Sequence, residues 1–331
     1  MIESEPHVVI VILNWNGLSD TLACLASVFA SQYSNFQVIV IDNNSANNEL
    51  SIIKQQFPEI TTIQNRKNLG FTGGCNLGID YAIQQSAQYV WLLNNDAIVS
   101  PDTLASLIND IQKDLRVGLI SPVIYDKSNG NVAFCGTAIN FETLQLNTLQ
   151  KADDYFYYKK KSPNSIGIWG TAMLINREMV EEIGFLDDRF FAYNEDIDYS
   201  IRAIDNGWKI TIDTDTQIFH KAKNYRGRLL ILYYMTRNTL RLILKHSKPR
   251  SRFKSVRLYI SSVIKRAANF QDKKEIDKSI TILTGLWDAI TNNYGEWNRQ
   301  KKIPTIFSRL ILWHPYFLSC VIRLGLPGQN E

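Results

Sequence analysis

The stretch Tyr89-Val-Trp-Leu-Leu-Asn-Asn-Asp-Ala-Ile-Val99 decides the fold. Val90 to Leu93 form a continuous apolar run, which suits a strand of a parallel sheet covered on both faces. The run stops at Asn94-Asn95-Asp96, and Ser100-Pro101-Asp102 follows, with Pro101 placed to be the first residue of a helix. Two amides and a carboxylate thus stand at the carboxyl end of a strand, where open α/β sheets bind ligands. Asp96 there suits a hard divalent cation, and the cation suits a diphosphate. The same three residues also make an ordinary strand-ending turn, and this stretch alone leaves both readings open.

Upstream the pattern repeats. Val8–Leu13 reads as a buried strand ended by Asn14-Trp-Asn-Gly17, with Ser19 or Asp20 as cap of a helix running through Val28. Phe36–Ile41 reads as a second strand, ended by Asp42-Asn43-Asn44-Ser45. A helix near Asn48–Gln56 leads to a weaker strand, Ile60–Gln64. Asn65–Gly78 then opens a helix through Gln85, with glycines at 70, 73, 74 and 78. Those glycines suit backbone approach to a phosphate or sugar, or close helix packing. Alternation of strand, polar turn and helix is the signature of a parallel α/β sheet, and its polar strand ends meet in one crevice. No GxGxxG follows the first strand, and no GxxxxGK[ST] occurs.

Downstream, Val117–Ser121 and Val132–Cys135 read as strands, Lys151–Pro163 as a loop, and Ile166–Ile175 as one strand with small residues at Gly170 and Thr171. A helix from Arg177 ends at Gly184, a fitting C-terminal cap. Glu195-Asp196-Ile-Asp198 opens a further helix over Ile197–Asn206. Acidic residues suit a first helical turn, and the helix dipole also keeps a carboxylate ionised, as a general base requires. Trp208–Asp213 and Thr216–Phe219 read as two closing strands, followed by His220, a metal ligand or a core residue.

The net charge of +4 over 331 residues conceals two unlike parts. Residues 1–220 carry 14 Lys/Arg against 26 Asp/Glu, and residues 221–331 carry 22 against 6. The second part therefore expects anionic surroundings. Cys24, Cys75, Cys135 and Cys320 are widely spaced, form no CxxC pair and fit a reducing cytosol. The N-terminus lacks the basic region of a signal peptide, and no apolar run reaches the roughly 18 residues of a spanning helix.

Six stretches, in order over residues 8 to about 220, resemble the family 2 inverting glycosyltransferases of the GT-A fold, in a bacterial rhamnosyltransferase-like branch. They are Asn14-Trp-Asn-Gly17, Val40–Ser45, Asn68–Gly78, Leu92–Asp96, Gly170–Leu174, and Phe185-Leu-Asp with Phe191, Glu195-Asp196-Ile-Asp198 and Arg202. The resemblance implies an α/β GT-A fold with a central, mainly parallel sheet. It implies a catalytic domain over 1–222, divided into a nucleotide-sugar half to about 100 and an acceptor half beyond. Asp42 is implied to bind base or ribose. Asn14, Asn16, Asn44, Asn68, Gly70, Phe71, Gly74, Asn76, Asn94 and Asn95 are implied around the nucleotide sugar, and Trp169, Gly170 and Asp198 around the acceptor. Asp96, and His220 as in some members, would ligate Mg²⁺ or Mn²⁺. Asp196, with Glu195 beside it, would be the general base. Asn94 stands at the first position of the family's DxD motif, and an amide is a neutral, weaker ligand.

Residues 221–271 hold 14 Lys/Arg and no Asp or Glu. Tyr225–His246 reads as an amphipathic helix with Arg237, Arg241 and Lys245 on one polar side; Arg250–Arg266 and Ile306–Leu326 repeat the mixture. Residues 223–331 are thus expected to form a basic α-helical extension that lies on an anionic membrane surface, or else packs as a bundle with a solvated basic face. No nucleic-acid recognition motif is present. The whole predicts an inverting, metal-dependent transferase on the inner face of a bacterial plasma membrane. It would carry rhamnose from dTDP-rhamnose, or another sugar from a UDP-sugar, to a lipid-linked saccharide. The alternatives are a non-catalytic sugar-nucleotide or membrane-binding scaffold, which intact Asp96 and Glu195-Asp196 disfavour, and a nucleotidyltransferase, which lacks its Gly-rich loop here.

Overall fold

A computed structural model describes residues 5–221, 228–300 and 303–304. In chain order the elements are β1 (Val8–Asn14), α1 (Leu18–Phe29), β2 (Phe36–Asp42), α2 (Glu49–Gln56), β3 (Thr61–Gln64), α3 (Gly70–Gln84), β4 (Tyr89–Asn94) and β5 (Ala97–Val99). Then come α4 (Thr103–Ile111), β6 (Val117–Asp126), β7 (Val132–Phe134), β8 (Thr137–Asn140), β9 (Gln145–Thr148), α5 (Ala152–Lys161), β10 (Ile166–Gly167), β11 (Ala172–Asn176) and α6 (Arg177–Ile183). The last are α7 (Glu195–Asp205), β12 (Lys209–His220), α8 (Leu229–His246), α9 (Pro249–Asp272) and α10 (Ile276–Ile290). The described residues fall into two compact units: one runs to Ile139 and resumes from Leu146 to Lys221; the other holds Asn140–Gln145 and residues from 228 on.

The first unit is built on a nine-stranded sheet in the order β3-β2-β1-β4-β11-β6-β12-β5, with β7 on β6. The pairs β3/β2, β2/β1, β1/β4 and β6/β12 are parallel, whereas β11 runs antiparallel between β4 and β6. Val8 to Ile12 are at most 1% exposed, as a strand covered on both faces requires. On α3, a Cβ at Gly74 would collide with Leu13 and one at Gly78 with Val11. These two glycines serve close packing of α3 on β1, the second of their two sequence readings. Cys24, Cys75 and Cys135 are buried, free thiols.

Several sequence expectations are corrected. Pro101 lies in a turn before α4 rather than at its first helical position, because Ala97–Val99 first forms the short strand β5. Neither Ser19 nor Asp20 caps α1; the N-cap is Gly17. Lys151–Pro163 is largely helical: α5 has Asp153 and Asp154 in its first turn and Lys159–Lys161 in its last, which suits the helix dipole. Ile166–Ile175 is interrupted at 168–171, where the backbone leaves the ladder to meet the site. The two closing strands are one, β12, with an irregular register between Asp213 and Gln217.

The second unit contains α8, α9 and α10. Gly285 lets α10 approach α8, since a Cβ there would press on the Tyr233 carbonyl. Arg237 is 0% exposed and Arg241 7%, so two of the three residues of the expected polar stripe of α8 face inward, while Lys245 is half-buried. Arg237 is held by rings, lying 4.9 Å from the Tyr234 centroid and 5.4 Å from that of Tyr233. It also donates to the Gly295 carbonyl at 2.7 Å. No helix among the described residues is long and apolar enough to cross a membrane. The expected tail Ile306–Leu326 lies outside the described residues.

Candidate active site

Parallel pairing sets Asn14, the last residue of β1, directly beside Asp42, the last of β2. Asn14 Nδ2 donates to Asp42 Oδ1 (2.7 Å) and to Glu49 Oε2 (2.9 Å), while its Oδ1 accepts from Thr21 Oγ1 (2.7 Å). Asp42 also accepts from the Ser45 amide (2.9 Å), Ser45 Oγ and Gln64 Nε2 (2.6 Å), and is 1% exposed. Its lone pairs are thus committed within the protein, where they shape the turn after β2. The turn after β1 presents Trp15, 49% exposed, and exposed Asn16, and the turn after β2 presents exposed Asn44; Asn16 and Asn44 have positive φ, and Asn16 bonds Ser45 and Ala46 across the two turns. Glu49, Thr21 and Gln64 escaped the sequence reading because each looks like a routine helix or strand residue until the fold joins them.

Asn43 closes the next loop. Its Nδ2 donates to Asn68 Oδ1 (2.9 Å) and the Gly70 carbonyl (2.8 Å), and its Oδ1 accepts from Asn65 Nδ2 and the Leu69 amide, both at 3.0 Å. Gly70 has φ +75, and a Cβ there would strike Phe191, so glycine is required on both counts. Asn76 lies elsewhere: it exchanges two hydrogen bonds with the Leu186 backbone and ties α3 to the segment after α6. With Gly74 packed on Leu13, these two expected ligand residues serve the scaffold.

The end of β4 carries the third cluster. Asn95 Nδ2 donates to Thr21 Oγ1 at 2.9 Å, joining it to the β1 network. β5 then pairs antiparallel with β12, which sets His220 opposite Ala97. His220 Nε2 lies 2.9 Å from Asp96 Oδ1 and 3.4 Å from Asn94 Nδ2. Both Asp96 and His220 side chains are only about a tenth exposed. A carboxylate oxygen beside an imidazole nitrogen suits a divalent cation that keeps places for water and diphosphate oxygens. No third His, Cys, Asp or Glu joins them among the described residues. An open cavity of about 270 Å³ adjoins Asp96, lined also by Asp20, Lys127, Ser128 and Lys221.

The acidic cluster follows a strained approach. Phe191, Tyr193 and Asn194 all have φ between 64° and 70°, conformations that cost non-glycine residues about 1 kcal/mol or more each. They deliver Glu195 and Asp196 to the start of α7. Asp196 Oδ2 accepts from the Gly170 amide (3.0 Å) and Oδ1 from the Ile197 amide (2.8 Å). Burial raises Asp196 above the ordinary carboxylate range, against the pull of those amides. Burial, and then the Asp196 charge, hold Glu195 well above that range. Glu195 is 4% exposed and its Oε2 has no hydrogen-bond partner. Asp198, 0% exposed, bonds Arg202 at 3.0 Å, and Arg202 grips the Ile183 and Phe185 carbonyls. Asp198 is therefore committed to holding α7 against the end of α6.

Residues 169–171 bind the clusters together. The Gly170 amide holds Asp196, and the next residue's carbonyl, that of Thr171, accepts from the Asn94 amide at 2.8 Å. Trp169 stacks on Phe134 at 4.5 Å between centroids, and Phe71 lies close to the Gly170 Cα.

The family model described as "Glycosyl transferase family 2" matches residues 8–184. A low-salt glycan biosynthesis hexosyltransferase of Haloferax volcanii is 24% identical over 201 residues, covering 59% of this chain and 60% of the relative. The chain thus spans about three fifths of that relative's length. An N-acetylglucosaminyl-diphospho-decaprenol L-rhamnosyltransferase of Mycobacterium tuberculosis is 22% identical over 225 residues, covering 62% of this chain and 72% of the relative. Among solved structures, a mannosyltransferase from Pyrobaculum calidifontis in complex with GDP-Man and Mn²⁺ superposes with TM-score 0.58 at 12% identity, covering 88% of both chains. The α/β fold with its curled central sheet is the GT-A fold.

Proposed function

Because the chain belongs to glycosyl transferase family 2, we propose that it moves a sugar from a nucleoside-diphosphate donor to a saccharide hydroxyl, with inversion at the anomeric carbon, in the building of a surface glycan. The observation that carries this reading is the joint at Gly170-Thr171, which ties half-buried Asp196 to the strand end bearing Asp96. A base on one side and a diphosphate site on the other is what in-line displacement at an anomeric carbon needs.

In this mechanism Asp196 takes the proton of the acceptor hydroxyl as its oxygen attacks the face opposite the diphosphate. The Gly170 and Ile197 amides fix the carboxylate, and burial strengthens it as a base. Asp96 and His220 would hold Mg²⁺ or Mn²⁺, whose charge stabilises the departing diphosphate. The two turns of Trp15, Asn16 and Asn44, the second shaped by Asp42, receive the nucleoside. Trp169 and Gly170 stand on the acceptor side. dTDP-rhamnose is the leading donor and a lipid-linked saccharide the leading acceptor, in keeping with the mycobacterial relative's name. The basic extension, residues 223–331, would hold the protein on the cytoplasmic face of an anionic bacterial membrane.

The test is a titration of dTDP-rhamnose, UDP-glucose, UDP-N-acetylglucosamine and GDP-mannose with Mn²⁺ or with EDTA, followed by thermal stabilisation. One sugar nucleotide should raise Tm with Mn²⁺ and lose that effect in EDTA, and Asp96→Ala should abolish the metal dependence. No response to any of them would reject the transferase reading.

A further inference from the structure

Arg237 and Arg241 turn inward, and helix α9 carries a row of the second unit's solvent-facing cations. Its buried side is Val256, Ile260, Val263, Ile264 and Ala267. Its exposed side bears Arg250, Lys254, Arg257 and Lys265. These succeed one another at spacings of three to eight residues, so they lie along one side of the helix over about 22 Å. Leu258, 46% exposed, sits on the same side, and Phe253, 48% exposed, lies at its edge beside the buried Ile260 and Ile264 positions. Residues 249–271 contain no Asp or Glu.

A stripe of cations serving only solubility needs no large apolar side chains beside it. Exposing Phe253 and Leu258 to water is unfavourable, and burying them in an apolar phase relieves that cost. Long Lys and Arg stems reach past such groups to set their charges at headgroup level. Cations with apolar residues between them, on a helix without acids, match the chemistry of a phospholipid surface: anionic phosphates above, acyl chains beneath.

We propose that this face of α9 is a docking surface for an anionic phospholipid bilayer, with Arg250, Lys254, Arg257 and Lys265 on the lipid phosphates and Phe253 and Leu258 entering the interface. The proposal rests on the membrane placement given above and narrows it to one helix.

The experiment is co-sedimentation of the full chain with phosphatidylcholine vesicles, with and without phosphatidylglycerol, across a salt series. The chain should sediment only with the anionic vesicles and should release as salt rises. Arg257→Gln/Lys265→Gln should lower partitioning about 30-fold, at about fivefold for each charge removed. Leu258→Ser should weaken binding while leaving its salt dependence. Equal binding to neutral vesicles, no binding to either, or no loss in the double variant would overturn the proposal, as would retention on nucleic acid without vesicle binding. The sugar-nucleotide titration on the same preparations keeps the two readings apart. Variants that lose vesicles but keep their donor response and Tm are folded, and failure of the donor response in the parent chain leaves the vesicle result standing.

Discussion

Glu195 and Asp196 are neighbours with unlike surroundings. Asp196 accepts two backbone amides, whereas Glu195 Oε2 is buried with no donor near enough to bond. A buried carboxylate without a donor is costly, and a protonated carboxyl is not. Burial and the neighbouring Asp196 charge thus favour the proton on Glu195, and the two amides favour the charge on Asp196. Asp196→Asn should lower kcat about 10³-fold while donor affinity holds, because an amide cannot accept the proton. Glu195→Gln, which keeps a neutral group of the same shape, should keep turnover within about tenfold. The pH profile follows from the same burial. A raised pKa means the base is lost as pH falls through a value above the ordinary carboxylate range, so the acid limb of kcat/KM should lie above it. An acid limb at the ordinary carboxylate value, or a Glu195→Gln variant as inactive as Asp196→Asn, would show the roles assigned wrongly.

Among the elements, α3 shows what small residues do for the sheet. A Cβ at Gly78 would meet Val11 and Ile41, core residues of adjacent strands that have no room to yield. Alanine in mid-helix gains up to about 1 kcal/mol over glycine, and overpacking costs about 1–3 kcal/mol. Gly78→Ala should thus lower stability by about 1–2 kcal/mol in a urea titration. The apolar runs of β1, β2 and β4 were legible because strands covered on both faces need nothing else. β5 was not: three residues after a polar turn carry no period, and only pairing with β12 makes them a strand. The break at 168–171 was hidden for the opposite reason, since Ile168 and Trp169 continue an apolar run while their backbone turns to the site. Arg237 and Arg241 misled because spacing shows which residues share a face and not which way that face points; three tyrosines supply the difference.

At the scale of the whole molecule, polar strand ends were enough to locate the crevice, but not to rank its residues. Asp42, Asn76 and Asp198 read as ligand groups on charge and position, and the fold commits each to internal hydrogen bonds. Gln64 reaches Asp42 from 22 residues away and Leu186 reaches Asn76 from 110, so only Ser45 on Asp42 and Arg202 on Asp198 lay within reach of a local pattern. The buried thiols offer a use of their own. Cys24 lies against the Asn94 carbonyl under the end of β4, Cys75 on α3 near Glu195, and Cys135 between β7 and β8. Burial raises all three, Cys135 to about 11, so none is a ready thiolate while the fold is closed. In a Cys320→Ser background each becomes a clock for the opening of its own neighbourhood. Maleimide should label the three at separate rates, tracking the local opening free energy. A bound sugar nucleotide should slow Cys24 and Cys75 more than Cys135; equal slowing of all three would mean that this sheet opens only as a whole.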